Sequence, residues 1–118
     1  MCLARVTTRN PKKTEGIGYK VFRVKLNEDI LHLHWHRGLK PRVIGRWYTS
    51  SKGTFNPKSQ RGVPTYPLGF HIYLDKPKGC DSFFKIYKVQ YKEAHTLGVD
   101  GGRRTVIAHK MKILERVK

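Results

Sequence analysis

Apolar residues recur at every second position over much of this chain, and short clusters of Gly, Pro, Asn and Ser interrupt them. That period belongs to strands half-buried on a sheet, because successive side chains point to opposite faces. In 19–26, Phe22, Val24 and Leu26 share one face, with Arg23 and Lys25 on the other. In 30–35, Leu31, Leu33 and Trp35 point inward. The clearest strand is 83–92, where Tyr87, Val89 and Tyr91 alternate with Lys88, Gln90 and Lys92. Strict alternation over 104–114 puts Val106, Ala108, Lys110 and Lys112 on one face and Ile107, His109, Met111 and Ile113 on the other. Segments 3–7, 43–49 and 69–74 read as shorter strands. Gly98, Gly101 and Gly102 supply a reversal between the last two long strands. Asp75 ahead of Pro77 suits the start of a brief helix or turn, which Gly79 keeps short. The Ser-, Gly-, Pro- and Lys-rich stretch 50–67 reads as a long basic loop. The expected fold is one α+β domain over 1–118, a mainly antiparallel twisted sheet with one or two short helices.

Composition adds a partner class to this outline. The chain has 118 residues, 38% of them hydrophobic, which is material for one modest core. Lys and Arg number 25 against 8 Asp and Glu, giving a net charge of +17. No acid lies between Ile30 and Leu74, although Arg37, Lys40, Arg42, Arg46, Lys52, Lys58 and Arg61 all do. Self-repulsion of that size opposes compactness unless an anion offsets it. The expected partner is therefore nucleic acid or a phosphorylated nucleotide, with an acidic protein as an alternative. No apolar h-region or long apolar run is present, so no membrane partner is expected. Cys2 and Cys80 lack metal-ligand spacing and read as free thiols of a reducing cytoplasm.

Within the acid-free segment, Trp47 and Tyr48 follow Arg46. Arg beside an exposed aromatic is the composition of a base-stacking site. Equally, Trp47 suits the core, which would leave Tyr48 as the exposed ring. Arg42, Arg46, Lys52, Lys58 and Arg61 are the candidate phosphate contacts. If strands 83–92 and 104–114 pair, Lys88, Lys92, Lys110 and Lys112 share one sheet face, where an anion would relieve their mutual repulsion. His71 is a further candidate ligand contact. His32, His34 and His36 alternate on a strand and can share a metal if His71 or His109 adds a ligand, or can form the polar face of that strand. No complete catalytic signature or Walker loop is present, and no cofactor is expected. Glu93 beside His95 is the only candidate for a general base.

The segment MCLARVTTRNPKKTEGIGYKVFRV (1–24), the block LGFHIY (68–73), the strand IYKVQY (86–91) and the closing VIAHKMKIL (106–114) together resemble a group of small bacteriophage and prophage proteins. What that resemblance implies is context: a phage accessory protein in the host cytoplasm, serving host takeover or counter-defence. A second resemblance, carried by Tyr19, Arg23, Gly69, Phe70, His71 and Tyr87, is to ADP-ribosyltransferase-like folds. It implies a nucleotide-holding fold, but the catalytic Glu of those enzymes has only Glu115 as a counterpart here. The leading expectation is a non-enzymatic binder of an anionic ligand. The alternatives are a sponge for a nucleotide immune signal, a protein inhibitor of an acidic host enzyme, and a transferase-like or nuclease-like enzyme using His71 or His95.

Overall fold

The computed structural model describes residues 3, 5–24, 31–33, 44–50, 53–55, 65–77 and 84–117. They form nine strands: β1 Arg5–Arg9, β2 Gly16–Val24, β3 Leu31–Leu33, β4 Trp47–Thr49, β5 Thr54–Phe55, β6 Tyr66–Pro67, β7 Phe70–Tyr73, β8 Phe84–Asp100 and β9 Arg103–Arg116. The α+β expectation is overturned: there is no helix among the described residues. At Asp75 the chain bends and residues 76–77 are not helical, while 78–83, where the rest of that expected helix would run, lie outside the described residues. An Asp cap and a Pro at the first turn are start signals only, and packing of an apolar face is what stabilises short helices. The 50–67 stretch is not wholly a loop either. β5 and β6 pair within it, with Thr54 opposite Pro67 and Phe55 opposite Tyr66.

The scaffold is the long β8–β9 hairpin, which turns at Gly101 and Gly102, both in the left-handed region at φ 58° and 79°. β8 carries β2 along its first half and β1 along its second. β9 carries β7 along its first half and β4 along its second. Every one of these pairings is antiparallel. β2 also meets β7, through Tyr19 opposite Tyr73, so β8, β2, β7 and β9 form a closed ring. The ring leaves β8 at Lys88 and returns to it at Gly98. This is the stagger that a sheet needs in order to curl shut. Closure is tight at Gly18, where a Cβ would lie 2.5 Å from Ile72 Cγ2 and 2.7 Å from the Tyr73 carbonyl. Lys20 Nζ spans the same seam, donating to the His71 carbonyl at 2.7 Å.

Inside the ring lie Phe22, Phe70, Ile72, Tyr87, Val89, Tyr91, Ala94, Val106, Ala108, Met111 and Ile113. The alternation expected for 104–114 breaks here, because Val106, Ala108, Met111 and Ile113 all reach one core. The hairpin turns a corner between Ala108 and Lys110. Across from it, β8 bulges around Glu93, whose φ is 56°, and the register slips between Ala94 and Thr96. A bulge bends the strand and switches which side faces the core.

Candidate functional site

The corner divides the outer surface of the hairpin into two faces. The first lies on β2, β8, β9 and β4. Cross-strand register puts Ile17, Gln90, Lys112 and Trp47 in one row. Tyr19, Lys88 and Glu115 form the row on one side of it, and Lys92, Lys110 and Thr49 the row on the other. Directly opposed residues share a face, so all ten side chains belong to one outer surface.

Trp47 lies on this surface 37% exposed, while its neighbour Tyr48 packs against the core. Of the two readings, the one with Trp47 in the core and Tyr48 as the exposed ring is corrected. Tyr48 sits opposite buried Met111, and Trp47 sits opposite half-buried Lys112. Lys92 Nζ is 4.8 Å and Lys112 Nζ 5.7 Å from the centre of a Trp47 ring. An exposed cation–π contact is worth about 0.5–1 kcal/mol. A nucleobase stacked on an aromatic is worth about 1–3 kcal/mol, enough to take the ring from the ammonium groups.

The four lysines expected on one face are there, but they are not equivalent. Lys110 pairs with Glu93 at 3.1 Å and Lys88 with Glu115 at 3.6 Å. Both pairs are exposed and each contributes at most about 1 kcal/mol, so they are easily exchanged for phosphate. Lys92 and Lys112, drawn over Trp47, form the positive centre of the face. Arg46, next to Trp47, is exposed. Arg42, Lys52, Lys58, Arg61, His34 and His36 lie outside the described residues, as do Cys2 and Cys80, and of His32 only the backbone is described. Among the described residues no group of three or more metal-ligating side chains gathers.

The second face lies past the corner and is covered. Leu3, Tyr66 and Ile107 form a small cluster there, with Val6 against it. The Leu3 amide donates to the Tyr66 hydroxyl at 3.0 Å, and that hydroxyl shares a 3.1 Å hydrogen bond with His71 Nε2. His71 is therefore held on this covered side, away from the lysines. His95 Nε2 donates to the Leu68 carbonyl at 3.1 Å, so its Nδ1 accepts from the Thr96 hydroxyl at 2.7 Å. His109 lies against His95, with ring centres 4.5 Å apart and ring planes tilted by 45°, and shares a 3.1 Å hydrogen bond with Ser50. Burial, chiefly, and the neighbouring His109 hold the His95 pKa below its usual value, against the Leu68 carbonyl. This polar network escapes sequence reading because Ser50, Leu68, His95 and His109 are distant in the chain and meet only through the fold.

The hairpin tip binds its own charges. The Arg104 guanidinium donates twice to Asp75, at 2.7 and 3.1 Å, its amide donates once more at 3.4 Å, and Arg103 rests on the Tyr73 ring at 5.4 Å. Of the positions shared with ADP-ribosyltransferase-like folds, Phe70 and Tyr87 are in the core, His71 is on the covered face and Tyr19 on the open one. Gln90, already read as outward-facing, completes the open face with Ile17 and Tyr19, the two that sequence reasoning did not place on it. Their signal was Gly16-Ile17-Gly18-Tyr19, a strand whose inward positions are glycines and whose outward ones are large.

Comparison of the chain with protein-family models, curated proteins and solved structures finds no match.

Proposed function

We propose that this protein is a non-enzymatic nucleic-acid-binding protein and that the open face of β2, β8, β9 and β4 is its binding surface. The observation that carries the reading is the convergence of Lys92 and Lys112 on exposed Trp47. In this arrangement a ring offers a stacking surface and two ammonium groups stand where the flanking phosphates would run. The net charge of +17 supplies the long-range attraction that nucleic acid answers. Among the described residues the face is open rather than a closed pocket, which favours a polymer over an enclosed nucleotide signal. His71 and His95, the residues an enzyme reading would use, are occupied by Tyr66 and by Leu68 and Thr96 on the other face. On the phage resemblance, such a binder would act on nucleic acid in an infected cell.

The test is a salt titration followed by fluorescence anisotropy with a labelled oligonucleotide. With about four phosphates neutralised, log K should fall against log salt with a slope of about −3. Absence of binding at low salt would overturn the reading.

A further inference from the structure

We propose that the preferred ligand is a single strand, laid across the sheet from Trp47 on β4 to Ile17 and Tyr19 on β2; this rests on the nucleic-acid reading above. Three observations carry it. The first is the composition of the two edges. Among the described residues the large exposed apolar side chains are Ile17, Ile44 and Trp47, and two of these close the same cross-strand row. Tyr19, half-buried, stands next to Ile17 on that face. Duplex DNA hides its base faces and offers such side chains nothing, whereas an unpaired strand exposes them.

The second observation is where the charge sits. Lys88, Gln90 and Lys92 on β8 and Lys110 and Lys112 on β9 fill the middle of the face, between the two apolar edges. A strand stacking one base at Trp47 and another at the β2 edge would carry the intervening phosphates over these lysines. The third is size. Four adjacent strands span about 14 Å between their outer members, and a sheet of four strands accommodates about two or three stacked bases. The arrangement is a short-footprint, sequence-tolerant site, since every base has a face to stack and, in the part of β8 and β9 that forms the open face, Gln90 is the lone uncharged hydrogen-bonding side chain.

The experiment compares a 12-nucleotide single strand with the duplex of the same sequence by competition anisotropy. Each single strand carries one 5-bromouridine, placed in turn along it, for photocrosslinking. We expect the single strand to bind at least about tenfold tighter, with crosslinks to peptides holding Trp47 and, from a position two or three nucleotides away, to the peptide holding Ile17 and Tyr19. Ile17→Glu changes an exposed side chain and preserves the fold, which the melting curve checks. It should weaken the single strand about fivefold or more while leaving the Trp47 crosslink in place. Equal or tighter duplex binding overturns the inference and leaves the nucleic-acid reading standing. So do an unchanged affinity of Ile17→Glu and crosslinks confined to Trp47. Failure of both ligands to bind overturns the earlier reading itself.

Discussion

The same two strands build both outer faces of the hairpin, and the faces differ in what lies over them. Past the Glu93 corner, β8 and β9 present Thr96 and Ile107, and the chain covers them with Leu3, Val6 and Tyr66. Before the corner they present Lys88, Gln90, Lys92, Lys110 and Lys112, and Trp47 is left 37% exposed beside them. Covering an apolar surface stabilises the fold, whereas leaving an aromatic exposed among cations contributes little to stability. The difference separates stability from recognition along one hairpin.

The sharpest way to break this comparison is to cut one face and read both properties. Ile107→Ala removes a fully buried side chain beneath Leu3 and Tyr66. It should cost about 2–5 kcal/mol in denaturant unfolding. Oligonucleotide affinity of the folded fraction should stay within about twofold, a difference of about 0.4 kcal/mol. A large affinity loss at unchanged stability would show the faces to be wrongly assigned.

Trp47→Ala is the mirror experiment. Stability should change by no more than about 0.5 kcal/mol, as at exposed sites generally. Affinity for a single-stranded oligonucleotide should fall by about 1–3 kcal/mol, measured by anisotropy. Trp47→Phe, which keeps a stacking ring, should recover part of that loss.

The faces also separate by pH. His95 has a folded pKa below its unfolded value of 6.5, because burial and His109 disfavour its charged form. The unfolded chain therefore takes up this proton first as pH falls. Stability from neutral His95 is complete above about pH 6.5 and is lost as pH drops from there through the lower folded value. Asp100, raised chiefly by burial, has the opposite sign and gains stability as pH falls. His95→Gln keeps a donor for the Leu68 carbonyl and cannot titrate. The difference between wild-type and His95→Gln melting temperatures should therefore shift against the wild type between pH 7.5 and pH 5.5. A constant difference would remove His95 from the account.

How much of this was legible in the sequence follows from the range over which each signal acts. Alternation in 83–92 is local, and Tyr87, Val89 and Tyr91 do face the core with Lys88, Gln90 and Lys92 outside. Alternation in 104–114 misleads, because the corner at Ala108–Lys110 switches faces and only the opposing bulge explains it. Which of Trp47 and Tyr48 is the exposed ring stayed open because a three-residue strand gives no periodicity to decide between them. Helix was expected from cap chemistry alone, and at Asp75 itself that signal marks a bend. The charge pointed to an anion, but its concentration on two lysines above one ring is a product of β4–β9 and β8–β9 register.

The smallest expected effect tests the electrostatics of the open face alone. Glu115 holds Lys88 at 3.6 Å, with the two side chains 66% and 39% exposed. Glu115→Gln keeps the shape and removes the carboxylate, so stability should fall by no more than about 1 kcal/mol. Lys88 is then released toward phosphate and the face loses one negative charge. Affinity for a single strand should rise by about two- to threefold at low salt, on the scale of a weak exposed charge pair. Raising the salt to 1 M shortens the screening length to about 3 Å and should erase the gain. A gain that persists at 1 M salt would mean that Glu115 opposes binding by its bulk or position, and the lysine rows would then need a different account from simple charge.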